Sequence, residues 1–317
     1  MNRFIVVGRV GMDVVVDPPG TRTEDAQTAI IAMGGSSANI AAGIVKLGGA
    51  ADLVTRVSDD SIGRFCTNQL TQYGVGTQYV TPVGGEARNS LALYESTIED
   101  HQTVIYRNGA ADFQLSVDDV EAVDYASYGA LITAGTVFAA EPSRTATFRA
   151  FELAKQAGLP IIFDVDYRPY SWPSREVATD VLTRAGEKSD VIVGNDVEFG
   201  FMAGDYDKGL EKARELAAQN AAMVIYKMGE KGAVTFTGGQ ELRTGIYPVH
   251  ALKPEGAGDS FMAGLIASLA EGHDLKSALL HGSACASITV SKPACAPAMP
   301  TAEVLKAFIA NHPGPTQ

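Results

Sequence analysis

Cysteine is scarce: Cys66, Cys285 and Cys295 are the only three in 317 residues, and no two stand at Cys-x-x-Cys spacing. That excludes a disulfide framework and a cysteine metal cluster, and the odd count fits a reducing, cytoplasmic setting. The five histidines (His101, His250, His273, His281 and His312) show no metal-ligand spacing either. No apolar run reaches the roughly 18 residues that suggest a membrane span. Residues 1–16 are interrupted by Gly8, Arg9, Gly11 and Asp13 and lack a signal-peptide core. Cations are the minority charge, with 25 Lys and Arg against 37 Asp and Glu and a net charge of −12. Such a chain repels phosphate backbones and anionic lipid, so neither nucleic acid nor membrane is an expected partner. Gly-x4-Gly-Lys-Ser/Thr is also missing, which excludes a P-loop nucleotide site.

What is present reads as an α/β enzyme. Short β-branched runs (Phe4–Val7, Ala130–Thr133, Pro160–Val165, Val191–Val193 and Val224–Tyr226) alternate with helix-like segments (Ser36–Leu47, Ile62–Tyr73, Arg144–Ala157, Glu176–Lys188 and Lys208–Gln219). Alternation of this kind predicts a buried, mostly parallel sheet covered by helices. Two stretches break it. Residues 14–33 and 90–107, the latter with an acidic turn at Glu99-Asp100-His101, read as exposed strands forming a small β-sheet lid inserted in one domain spanning 1–317. The last residues, 312–317, read as a frayed tail.

Ligands of open α/β sheets bind beyond the carboxyl ends of the strands. Polar residues gather at those ends: Asp13, then Asp164, Asp166 and Arg168, then Asn195 and Glu198, then Lys227. The sharpest motif is Gly256-Ala257-Gly258-Asp259, which opens an apolar helix-like run. Helix N-termini present free N–H groups and partial positive charge, so the turn suits an anion. A carboxylate placed there suits a base that takes a proton from the group attacking that anion, which points to phosphoryl transfer. The plain alternative is a tight connection with Asp259 as cap.

Gly34 and Gly35 lead into the helix-like run that holds Asn39, and the plain reading is that the glycines make the turn while Ser36 or Ser37 caps the helix. Together with Asp13, these glycines and Asn39 could instead bind vicinal hydroxyls, which need donors and acceptors at once. Asn195 and Glu198 could form a cap, or face a nucleotide phosphate and a hydrated Mg²⁺. Lys227, Gly229 and Gly232 lie in a turn between strands, or beside a nucleotide with Lys227 near phosphate. Arg107 and Arg168 each neighbour an aromatic residue, and a guanidinium fork suits a substrate carboxylate unless structural acids claim it.

In this order the motifs resemble the ribokinase, PfkB-type, carbohydrate kinase family over essentially the whole chain. The resemblance implies a Rossmann-like α/β fold with a β-lid, ATP as donor and Mg²⁺ as helper. It also implies Asp259 as base and the amides of Ala257, Gly258 and Asp259 as anion hole. Dimerisation through the lid is common in the family. Within it, Gly8-Arg9, residues 18–25, Tyr106-Arg107, Asp164–Pro169 with Trp172, and residues 295–300 resemble the 5-dehydro-2-deoxygluconate kinases of inositol catabolism. The 2-dehydro-3-deoxygluconate kinases share the arginine after tyrosine and the Asp-x-Asp-x-Arg-Pro pattern. Both act on six-carbon keto-deoxy acids, which agrees with the two arginines. A neutral-sugar or nucleoside kinase would leave those arginines without purpose, and a non-catalytic binding protein would leave Asp259 without one. The chain departs from the family at Lys253-Pro254-Glu255, where a neutral run is usual and Glu255 adds negative charge beside the anion site.

Overall fold

The computed structural model describes residues 2–95, 102–219 and 221–315. The expected turn at Glu99-Asp100-His101 and the last two residues of the tail lie outside them. The chain opens with β1 (Arg3–Val7), β2 (Gly11–Asp17), β3 (Thr28–Gly34), α1 (Ser36–Lys46), β4 (Ala50–Ser58), α2 (Ser61–Gln72) and β5 (Gly76–Val83). It continues through β6 (Leu91–Tyr94), β7 (Thr103–Tyr106), α3 (Val117–Glu121), β8 (Ala130–Ala134), α4 (Ser143–Gln156), β9 (Ile161–Asp164), α5 (Arg175–Glu187) and β10 (Val191–Asn195). The remainder is α6 (Asp196–Ala203), α7 (Gly209–Gln219), β11 (Met223–Lys227), β12 (Ala233–Thr237), β13 (Gln240–Thr244), α8 (Ala257–Ala270), α9 (Leu275–Val290) and α10 (Ala302–Asn311).

Nine strands form one sheet in the order β13-β12-β11-β10-β9-β8-β1-β4-β5. Among the described strands of this sheet β12 alone is reversed, pairing antiparallel with β11 on one side and β13 on the other. Phe151, Ala178, Met202 and Ala213 cover one face from α4 to α7. Ile40, Cys66, Leu265, Leu279 and Leu305 cover the other from α1, α2, α8, α9 and α10. Both faces are therefore dry, which is why the parallel strands read as continuous apolar runs. Three strands of this sheet, β4, β5 and β13, were not among the expected runs. Asp52 and Arg56 make β4 look like a loop, but Arg3 pairs with Asp52 at 2.8 Å and Asp119 with Arg56 at 2.9 Å.

The lid is a second sheet, ordered β3-β2-β6-β7, with its own small core of Val15, Ala32, Ala92 and Tyr94. Its strands are β2 and β3, which begin at Gly11 and end at Gly34, and β6 and β7, which lie on either side of residues outside the described set. One face of the lid carries Asp13, Tyr94 and Ile105 towards the cavity described next. Among the described residues, no helix is long and apolar enough to cross a membrane.

Candidate active site

Two glycine turns aim two helices at one point. Gly35, at φ +101°, lies against the Arg9 carbonyl, where a side chain would meet that oxygen at 2.6 Å, and α1 starts immediately after. Gly256, at φ +79°, precedes α8 in the same way, and a side chain there would meet Cys295 at 3.1 Å. The helices then pack closely, because a Cβ on Gly43 would lie only 2.6 Å from Ala263. One turn nearer their N-termini, Asn39 Nδ2 donates to Asp259 Oδ2 at 2.8 Å. Gly34 is required for a different reason: a Cβ there would fall 1.8 Å from Asp13 Oδ1. Without that side chain, Asp13 fits against the start of α1.

A cavity of about 410 Å³ lies between these N-termini and the lid. Asp13, Gly35, Asn39, Gly256 and Asp259 form one side; Arg9, Arg107, Arg168 and Asn195 form the rest with Tyr94 and Tyr170. Within α8's first turn, the Ser260 amide bonds Gly256 O at 3.0 Å and the Ala257 amide bonds Pro254 O at 3.4 Å. The Gly258 and Asp259 amides have no such backbone partner among the described residues. Glu255 faces this cavity, and Thr103 of the lid donates to it at 3.2 Å.

Burial dominates the electrostatics. It pushes the Asp259 carboxyl up to about 6, with nearby Asp166 adding to the rise and the Asn39 amide, Arg168 and Lys227 opposing it. Burial likewise pushes Asp13 up to about 7, against the pull of Arg9. Burial raises Asp164 and Glu198 as well, partly offset by Lys227. Asp166 is the exception: against its burial, Arg168 at 2.8 Å and the Ser36 hydroxyl hold it below the usual carboxylate range. It also holds φ +36°, a strained value for a side-chain residue and one typical of functional sites.

Not every expected residue reaches the cavity: Asn195 lines it, whereas Glu198, Lys227, Gly229 and Gly232 do not. Glu198 and Asn195 form a reciprocal cap, Asn195 Oδ1 accepting from Glu198 N at 2.9 Å and Glu198 Oε2 from Asn195 N at 2.7 Å. Glu198 Oε1 accepts from Tyr167 N at 3.3 Å, so both of its oxygens already hold backbone amides. Lys227, at the end of β11, sits under the α8 turn, its Nζ 3.3 Å from where a Gly258 side chain would begin. Gly229 and Gly232 form the turn between β11 and β12, and Gly232 is needed because a Cβ would meet Thr244 O at 2.0 Å.

The two arginines differ. Arg107 is buried, ion-paired with Asp112, bonded to Thr136 O at 2.9 Å and stacked on Phe113. Its Nε, buried, has no hydrogen-bond partner among the described residues. Arg168 is 44% exposed, paired with Asp166 at 2.8 Å, donates to the Tyr167 carbonyl at 3.2 Å and lines the cavity. Arg9 was not singled out as a site residue, yet it is buried, bonded to Ser90 Oγ at 2.7 Å and lines the cavity. Its signal was an arginine directly after the first parallel strand. Ser36, beside the flagged glycines, was read only as a cap.

A mostly parallel α/β sheet whose strand ends meet a smaller sheet, with a buried carboxylate in the first turn of a glycine-led helix, fits the class of small-molecule kinases. A sequence profile described as pfkB family carbohydrate kinase matches residues 1–302. A relative from Photobacterium profundum, named 5-dehydro-2-deoxygluconokinase, is 37% identical over 311 residues, 96% of this chain and 94% of its own. Another of that name, from Geobacillus kaustophilus, is 35% identical over 314 residues, 98% of this chain and 94% of its own. An E. coli protein described as a ribokinase II, solved with ATP and Mg²⁺, superposes with a TM-score of 0.85 at 20% identity. That match covers 98% of this chain and 100% of the other, and at such identity it carries the fold alone. The chain belongs to the pfkB family of carbohydrate kinases. It is a sugar kinase with a ribokinase fold.

Proposed function

We propose that the chain transfers the γ-phosphoryl group of ATP to the primary hydroxyl of a keto-deoxy sugar acid, with 5-dehydro-2-deoxy-D-gluconate as the first candidate. The observation that carries this reading is the pairing of Asp259, poised near neutrality, with three arginines around one cavity. A carboxyl titrating near 6 is ionised at pH 7 yet basic enough to accept a hydroxyl proton. The transferring group would rest on the Gly258 and Asp259 amides, with the Ala257 amide beside them. Asp13, Gly34, Gly35 and Asn39 would orient the sugar. Arg168 would hold its carboxylate, with Arg9 and the Nε of Arg107 close by. Closure of the lid would keep out water, the competing acceptor.

The donor would enter from the β10 and β11 side, where Asn195, Lys227, Gly229 and Gly232 lie, with Lys227 supplying charge near the phosphates. Mg²⁺ fits this end in one manner. Among the described residues, no three His, Cys, Asp or Glu side chains converge to hold an ion directly. Asp164 and Glu198 instead form an acidic floor that suits an ion keeping its water shell, with Glu198 reached through water. When bound, such an ion would neutralise phosphate charge during transfer.

A spectrophotometric ATP-consumption assay across keto-deoxy sugar acids, neutral sugars and nucleosides tests the reading. We expect turnover fastest with 5-dehydro-2-deoxy-D-gluconate and slower with 2-dehydro-3-deoxygluconate. Preference for a neutral sugar or nucleoside would overturn the sugar-acid acceptor, and binding without turnover would favour a non-catalytic role.

The lid also suits a second copy of this chain. Its outer face aligns Ile31, Val14, Leu93 and Val104 across four strands, and Ile31 and Tyr106 are 57% and 62% exposed. An apolar sheet face of this kind favours a partner over water.

A further inference from the structure

A lysine beneath the turn that opens α8 has no part in the chemistry above. Lys253 is 0% exposed, an unusual place for an ammonium unless it is paired. Its Nζ donates to the carbonyl oxygen of Glu255, and its charge bears on Asp13 and on the Cys295 thiol. The backbone there is anchored, since the Leu252 and Lys253 amides donate to the Val290 carbonyl at 2.8 and 3.4 Å.

The consequence falls on α8. Were the helix regular back to residue 255, the Asp259 N–H would bond the Glu255 carbonyl, four residues before it. That bond is not made, although the next one, from Ser260 to Gly256, is made at 3.0 Å. The Glu255 carbonyl is turned onto Lys253 instead, and Gly256 in its left-handed conformation links the two orientations.

We propose that Lys253 is a positioning residue for phosphoryl transfer. Its ammonium captures the Glu255 carbonyl, and the amides of Gly258 and Asp259 stay open to the transferring group. A neutral, non-donating side chain would release the carbonyl to the Asp259 amide, and the helix would then consume a donor meant for the ligand. The proposal rests on the reading of this turn as the phosphoryl-transfer centre.

Two variants of the full chain test it: Lys253→Met, without charge or donor, and Lys253→Gln, with a donor but no charge. With whichever acceptor the wild-type enzyme uses best, Lys253→Met should lose about 10²-fold in kcat, the loss typical of removing one anion-hole donor. KM values should change little, Lys253→Gln should fall between, and added ammonium ion should restore part of the Lys253→Met rate. A second readout needs no sugar. By calorimetry, binding of ADP with fluoroaluminate, which mimics the transferring group, should weaken about tenfold or more, while ADP alone should bind nearly as before. Equal changes for the two, a kcat loss that only follows the folded fraction, or failure of both variants to fold would each overturn the proposal. Wild-type turnover of a neutral acceptor would correct the acceptor and leave this test standing.

Discussion

Asn39 and Asp259 are joined at 2.8 Å by the side-chain amide of one and the carboxylate of the other, 220 residues apart in sequence. The contact sits one turn above the place where Gly43 lies against Ala263, so the close packing of α1 on α8 sets its geometry. Asn39 thereby favours the charged form of Asp259.

Removing that amide should make Asp259 harder to ionise. In Asn39→Ala, the acid limb of the kcat/KM profile, expected near pH 6 in the native enzyme, should move to higher pH by about one unit. A pH–rate series from 5 to 9 reads this directly. An unmoved limb would show that the hydrogen bond does not tune the base.

Asp259→Asn should lower turnover by about 10²–10⁴-fold and leave ATP binding in place. It should also alter stability with a defined sign. The native carboxyl is raised from 3.8 to about 6, so its contribution to stability is present below about 3.8 and lost as pH rises through 6. At pH 8 the native chain carries the full penalty and the variant does not. Thermal melts should show the variant gaining on the order of 1 kcal/mol or more at pH 8 and gaining less at pH 4.5.

The two arginines should fail differently. Arg107→Leu leaves the buried Asp112 carboxylate without its partner and should destabilise the fold by about 3–5 kcal/mol. Arg168→Gln, at a half-open position, should keep the melting temperature and raise KM for a sugar acid by about tenfold. If Arg168→Gln leaves that KM unchanged, the carboxylate is held elsewhere, with Arg9 the next residue to vary.

A charge on the lid's outer face should weaken any pairing of two copies there. Ile31→Asp, at a 57% exposed position, should shift sedimentation velocity from dimer to monomer with the fold intact. A native chain that is monomeric at micromolar concentration would remove the lid as an interface.

Much of the architecture was legible locally. Strand and helix periods, the two glycine turns and the acid beside the second are properties of short segments, and they appear where expected. β4 escaped notice because its charged residues find partners in β1 and α3, and local composition does not announce distant partners. Asn195 and Glu198 show the opposite limit. Their spacing fits both a cap and a ligand site, and the capping hydrogen bonds are what the fold displays.

The residue types alone determined the fold class, the glycine turn that opens α8 and the carboxylate beside it, because backbone sterics and helix-end chemistry act within a few residues. Which side chains meet was decided by tertiary structure. Packing of α1 on α8 brought Asn39 to Asp259, and burial raised that carboxyl towards neutrality. The same folding enclosed Arg107 with Asp112, left Arg168 open and drove Lys253 beneath the turn. Desolvation and charge pairing depend on neighbours that the chain supplies only after it has closed.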